Sequence, residues 1–296
     1  MKQHVWVTSQ NRKLSVVFHR KEEQEQHKAI VICCHGFTSD KIGTNQLMLN
    51  IAKAIAAEGI IPVRFDFSGS GESEGEFAED TLVSGWLEDI GNVFNWVKGQ
   101  PQFSGLPIYL LGHSLGGLIA LTFNDASIAG RLVLAPVVKP VENFREIILG
   151  PELWQRSVNG ETVANFLNKG FSISPRFARD LIEQEYQPLI KAGAYQAPIC
   201  IIHGDADAVV PLAGSQELYG LYTGEKQLEV ITADHVFAGK HSELTSLLVG
   251  WLIKQWRGYN DKRKEFGEHV LYRLQYLQLP EQEQSISWLL PDYQGQ

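Results

Sequence analysis

The sequence predicts an α/β fold in which a mostly parallel sheet carries helices on both faces. Three observations point to it. Short apolar runs alternate with segments of helical periodicity along most of the chain. One such run, Pro107–Leu111, ends in the sharp turn Gly112-His113-Ser114-Leu115-Gly116 and passes directly into a helix-like segment, Leu115–Phe123. Two further runs, Pro198–His203 and Gln227–Thr232, end just before an acidic cluster and a histidine. In a parallel sheet the carboxyl ends of the strands share one edge, so these distant loops are expected to converge.

Taken in order, Val5–Val7 and Leu14–Phe18 flank the turn-like Gln10-Asn11-Arg12 and read as an opening hairpin. Lys21–Lys28 is charged and glutamine-rich, a solvated loop. Ala29–Cys34 is a buried strand. Leu47, Met48, Ile51, Ala54 and Ile55 recur at helical spacing, and Gly59 ends that helix. Ile60–Phe67 is the next strand. Leu82, Val83, Trp86, Leu87, Ile90, Val93, Phe94 and Val97 mark a strongly amphipathic helix. The turn strand and its helix follow, then Arg131–Pro136 as the sixth strand. The alternation breaks off there. Residues 138–197 are irregular, with scattered aromatics (Phe144, Trp154, Phe166, Phe171, Phe177, Tyr186 and Tyr195), and read as an inserted lid over the functional edge. The strands at 198–203 and 227–232 bring the count to eight, and Leu244, Leu247, Leu248, Trp251 and Leu252 form a closing helix. The organisation expected is one domain over residues 1–256, with the insert at about 138–197, and a partly helical extension over 257–296. In that extension Phe266, Val270, Leu271, Leu274 and Leu277 keep helical spacing until Pro280.

The chemistry follows from the loops. A serine hydroxyl is a poor nucleophile unless it is lifted clear of the backbone and given a base. A sharp strand-to-helix turn with glycine on either side does the first, which makes Ser114 the candidate nucleophile. His235, in Ala233-Asp234-His235, is the candidate base, because an imidazole can take the hydroxyl proton and return it to a leaving group. His241 is its rival, but it sits where the closing helix begins, before Ser242 and Glu243. Asp205 and Asp207 both follow the acid strand; Asp205 could instead brace the turn through its backbone. Asp234 points away if the backbone there is extended. Stabilising a developing oxyanion takes two backbone N–H donors, one of which is expected from Leu115, directly after the nucleophile. His35 and His203 each precede a glycine and are read as structural.

The chain order serine, acid, histidine and the motifs quoted above are similar to those of the α/β-hydrolase superfamily. Over about residues 4–256 the sequence resembles its serine esterases with a lid inserted after the sixth strand, feruloyl and cinnamoyl esterases among them. The resemblance implies the α/β-hydrolase fold, Asp207 as the triad acid, and Phe37, in His35-Gly36-Phe37-Thr38, as the second oxyanion donor. It also implies that Asp66 and the glycine-rich loop after it form a structural turn near the mouth of the site.

Other chemistry is disfavoured. Phe67–Gly75 is glycine-rich and follows a strand, but a dinucleotide fingerprint would need glycine where Glu74 stands, and Glu72, Glu74 and Glu76 would repel a pyrophosphate. The nine histidines are scattered without ligand spacing, so no metal and no cofactor is expected. A formal charge of −8 without a basic stripe argues against nucleic acid. No apolar run approaches the roughly 20 residues of a membrane span, and the first residues lack the pattern of a signal peptide. Cys33, Cys34 and Cys200 read as small buried apolar residues in a reducing compartment, so a cytoplasmic location is expected.

The expected activity is therefore hydrolysis of carboxylic esters of small molecules by a serine nucleophile. Amide, peptide or thioester cleavage and acyl transfer remain open on the same triad, as does a scaffold that binds without catalysis. The aromatics of the insert fit either an apolar acyl or aromatic site or the insert's own core. A homodimer through the insert or the C-terminal extension is the protein partner considered.

Overall fold

The computed structural model describes residues 2–19, 27–168 and 170–277, with side chains described to residue 262. The solvated loop expected at 21–28 falls mostly outside the described residues, as does Pro280. The chain divides into two compact units, Met1–Ile253 and Lys254–Gln296.

The first unit opens with β1 (Lys2–Ser9) and β2 (Arg12–His19), the expected hairpin. Its turn residues Gln10 and Asn11 take φ of 48° and 65°, the left-handed pair that a two-residue hairpin demands. Then come β3 (Ile30–Cys34), α1 (Leu47–Ala57), β4 (Ile61–Phe65), α2 (Phe77–Asp80), α3 (Val83–Lys98), β5 (Ile108–His113), α4 (Leu115–Thr122) and β6 (Ile128–Leu134). The eight strands of the main sheet are completed by β9 (Ile199–Gly204) and β10 (Lys226–Ile231), between which lies α9 (Leu212–Leu221). The sheet order is β1-β2-β4-β3-β5-β6-β9-β10; β1 and β2 run antiparallel, β2 is antiparallel to β4, and every later pairing is parallel.

Alternation along the strands builds the core on both faces. In β3, Ile30, Ile32 and Cys34 join one buried cluster with Trp86, Ile90 and Phe94 of α3 and Leu118 of α4. Val31 and Cys33 join the opposite cluster with Leu47 and Ile51 of α1 and with Leu244, Leu248 and Trp251 from α10 (His241–Leu277). A strand buried on both faces needs no polar side, which is why these segments read as unbroken apolar runs. All three cysteines are buried and unpaired, and burial pushes the Cys33 and Cys200 thiols up to about 12.

Between β6 and β9 lie α5 (Pro140–Asn143), a π-helical turn (Phe144–Ile148), α6 (Gly150–Val158), the hairpin β7 (Val163–Phe166) and β8 (Phe171–Ile173), α7 (Pro175–Glu183) and α8 (Pro188–Ala192). This is the irregular stretch 138–197. Its aromatic rings fill one another's space. Phe144 and Phe177 are fully buried and meet Phe37 at centroid distances of 5.2 and 5.1 Å, the second as a stacked pair. Phe166 and Phe171 likewise meet rings outside the insert, Phe37 and Phe77.

Register sets the functional edge. Cys34 pairs with Gly112, His113 with Leu134, and Gly204 with Ile231. The loops beginning at His35, Ser114, Ala135, Asp205 and Thr232 therefore all leave from the same rim. Among the described residues no helix is long and apolar enough to cross a membrane.

Candidate active site

The chain reverses from β5 into α4 at Ser114, which adopts φ 57° and ψ −120°. For a residue with a side chain such a conformation costs of order 1–3 kcal/mol, and the surroundings must enforce it. They do so by close backbone approach. A Cβ on Gly112 would lie 2.1 Å from the Gly116 carbonyl oxygen, and one on Gly116 would lie 2.3 Å from that of Cys34. The Ser114 N–H donates to Leu134 O at 3.0 Å, and Ser114 O accepts from the N–H groups of Gly117 (2.9 Å) and Val137 (3.1 Å). The glycines of the motif are thus a packing requirement, and the turn presents a serine that is 6% exposed.

Asp207 lies in the loop between β9 and α9, with its side chain fully buried. Its Oδ1 accepts from the N–H groups of Val209 (2.8 Å) and Val210 (2.9 Å), and its Oδ2 accepts from His235 Nδ1 at 2.7 Å. Burial alone would push this carboxyl up. The hydrogen bonds from His203 and His235 and from the Val210 N–H outweigh it and hold Asp207 well below the usual carboxylate range. Asp205, the rival acid, is exposed, and its Oδ2 accepts from Thr232 Oγ1 at 3.3 Å.

The loop carrying His235 is braced from several sides. Asp234 Oδ1 accepts from the N–H groups of Val236 (3.2 Å) and Ala238 (2.8 Å). His241, first residue of α10, bonds Val236 O through Nε2 at 3.2 Å and Asn50 Nδ2 through Nδ1 at 3.0 Å. The acid and base loops are stitched together by Asp205 N–H to Ile231 O and Ala206 N–H to Ala233 O, both 3.0 Å. They come so close that a Cβ on Gly204 would sit 2.2 Å from Ala233 O.

His113, the variable residue of the serine turn, holds a contact that the sequence did not reveal. Its Nε2 donates to the backbone oxygen of His235 at 2.8 Å, and the two rings lie 4.8 Å apart at 40°. Burial, with the nearby His235 adding to it, lowers its pKa to about 3, so His113 stays neutral and its bond to the base loop persists at working pH. The structure thus joins Asp207 to His235 directly and sets His235 against the residue preceding Ser114. Among the described residues no hydrogen bond joins the side chains of Ser114 and His235.

Leu115 follows Ser114 directly, and Phe37 follows Gly36. Gly36 approaches so closely that a Cβ there would be 3.1 Å from Ser114 Cβ. Leu115 is the first residue of α4, whose leading N–H groups have no intrahelical acceptor. His35 is structural, as expected: fully buried, it accepts from Phe67 N–H at 3.1 Å through Nε2, while Nδ1 donates to Gly36 O at 2.9 Å.

Asp66 organises the glycine-rich loop. Its carboxylate accepts from the N–H groups of Lys41 (2.6 Å) and Glu72 (2.8 Å) and from the Lys41 ammonium at 2.5 Å. Gly71, at φ 55°, packs so that a Cβ would fall 2.3 Å from that carboxylate. The loop is closed around an aspartate.

The family described as serine aminopeptidase, S33 matches residues 25–160, a stretch that holds Phe37 and Ser114 and stops short of Asp207 and His235. An uncharacterised protein of Salmonella typhimurium, YfhR, is 28% identical over 187 residues, covering 61% of this chain and 57% of its own. A monoacylglycerol lipase of Mycolicibacterium smegmatis is 22% identical over 214 residues, 64% of this chain and 74% of its own. The chain thus spans less than two thirds of the length of YfhR. Among solved structures, Est1E of Butyrivibrio proteoclasticus with ferulic acid bound superposes with a TM-score of 0.74 at 21% identity, over 85% of this chain and 98% of that one. With its strand order, its strained serine turn and these likenesses, the chain has the α/β-hydrolase fold.

Proposed function

We propose that the protein is a serine hydrolase that cleaves carboxylic esters of small molecules through an acyl-enzyme intermediate. The observation that carries this reading is the 2.7 Å bond from His235 to a buried, ionised Asp207 at the rim where Ser114 is held in its strained turn. His235 Nε2 takes the hydroxyl proton as Ser114 Oγ attacks the ester carbonyl. The N–H groups of Phe37 and Leu115 receive the oxyanion, and Asp207 stabilises the imidazolium that forms. Collapse expels the alcohol, which takes the proton from His235. Water, deprotonated in turn by His235, then attacks the acyl-serine and releases the acid.

The test offers the purified protein short-chain p-nitrophenyl esters and a fluorophosphonate probe, with Ser114→Ala alongside. Turnover and labelling that both vanish in the variant are expected; wild type inert to both would overturn the reading. A second reading, amide or peptide cleavage, is favoured by the description of the matched family. The same triad serves it if His235 can protonate an amine leaving group, and p-nitroanilides of matched acyl groups separate the two.

A further inference from the structure

His203, fully buried at the end of β9, bonds through all of its polar ring atoms. Its Nδ1 lies 2.7 Å from Ser215 Oγ, and its Nε2 lies 2.9 Å from Val210 O and 3.3 Å from Asp207 Oδ2. Both neighbours of Nε2 are acceptors, one a carbonyl and one a carboxylate, so Nε2 carries the hydrogen. Ser215 then donates its hydroxyl hydrogen to Nδ1 and fixes that tautomer. That one hydrogen is directed to Val210 O, and its nitrogen also stands 3.3 Å from Asp207 Oδ2, the oxygen bound to His235, so the carboxylate shares the positive end of the His203 N–H with the carbonyl.

We infer that His203 is a positioning residue for the proposed reaction: it pins the oxygen of Asp207 that faces His235 and moderates how strongly that oxygen draws the proton of the base. Oδ1 is fixed by two backbone N–H groups and Oδ2 by His235; a further donor near Oδ2 keeps that oxygen in place when the His235 ring moves and shares its charge. The positive end of the His203 N–H, near the same oxygen, also offsets part of its charge, which weakens the pull of Asp207 on an imidazolium.

The other charged or titratable groups at this edge are accounted for. His113 approaches His235 from β5 and is neutral. Asp205 is bound by Thr232, Asp234 by the N–H groups of its own loop, and His241 by Val236 and Asn50. Among the described residues, His203 is the only side chain besides His235 that bonds Asp207.

This inference rests on the ester-hydrolase reading, and its test separates the two. Ester turnover is measured against pH for wild type, His203→Leu, His203→Gln and Ser215→Ala, with the histidine ring resonances followed by NMR across the same range. In His203→Leu we expect kcat to fall about tenfold with KM unchanged. The acidic limb of kcat/KM and the His235 ring titration should both move to higher pH, by about half a unit or more. His203→Gln, which can place an amide donor near the Nε2 position, should restore most of both. Ser215→Ala, which frees the tautomer, should move them the same way but less, and it serves if the leucine variant fails to fold. A folded His203→Leu or Ser215→Ala protein with limb, ring titration and kcat all unmoved overturns the inference, as does a glutamine variant no better than leucine. If wild type turns over no ester, the activity reading fails alone, and the ring titrations still decide the role of His203.

Discussion

Two aspartates stand just past carboxyl ends of this sheet, both with fully buried side chains, and they are held by opposite means. Asp66 follows β4 and meets a full positive charge, the Lys41 ammonium, together with two backbone N–H groups. Asp207 follows β9 and, among the described residues, meets no lysine or arginine: its neighbours are two N–H groups of its own loop and the rings of His203 and His235. The first is a closed account, a charge neutralised permanently and sealed by Gly71. The second has no fixed cation beside it, only rings that can take or release a proton. A buried carboxylate paired with a fixed cation shapes a loop, whereas one paired with a titratable ring can stabilise a charge that exists only during reaction.

The comparison can be broken from either side. The largest effect is expected at the acid: Asp207→Asn should lower kcat by about 10⁴-fold while the protein still folds, since the amide cannot stabilise the imidazolium. Steady-state kinetics beside circular dichroism read this, and an asparagine variant within tenfold of wild type would remove Asp207 from the triad. Asp66→Asn should do the reverse. It leaves the buried Lys41 with Glu72 as its one acidic partner and should cost about 3 kcal/mol in urea unfolding, with kcat per folded molecule within a few-fold of wild type. Gly71→Ala should follow it more weakly, destabilising by about 1–3 kcal/mol through its φ of 55° and the collision with the Asp66 carboxylate.

The smallest effect sharpens the contrast through pH. The Asp207 carboxyl is depressed in the folded protein, so its contribution to stability is present above the unfolded carboxylate value of about 4 and is lost as pH falls further. For Lys41, burial lowers the pKa, but the bonds to Asp66 and Glu72 outweigh it and raise it overall. Its contribution is therefore complete below the unfolded value of about 10.4 and is lost as pH rises through the folded one. Unfolding free energies measured across pH should show Asp207→Asn flattening only the acid limb and Lys41→Met only the alkaline limb. Flattening of the same limb by both would mean that the two sites are not independent.

Much of this was legible in the sequence where a local rule applies. The eight strands, the serine turn and the helix stop at Gly59 all follow from residues adjacent in the chain. What escaped has a common cause. In α9, Leu-Ala-Gly-Ser-Gln-Glu-Leu-Tyr-Gly-Leu, only Ser215 and Leu218 are buried, so no apolar stripe announces a helix. The β7–β8 hairpin is short and irregular in register, and its buried Phe166 packs on Phe37, far away in sequence. His113 and His203 gain their roles from contacts that only the completed sheet creates, the first reaching 122 residues along the chain. His-Gly and Gly-His pairs at strand ends are the sole trace of them in the sequence.

Among the described residues, the strand that leads to His235 stands last in the sheet and pairs with β9 alone. Outermost strands are the first to fray, because they have hydrogen-bonded support on one side only. A brief local detachment there would carry His235 away while the serine and its glycines stay in place. Inactivation on mild warming should therefore run ahead of global melting, and amide exchange should be fastest, within the parallel part of the sheet, at residues 226–231.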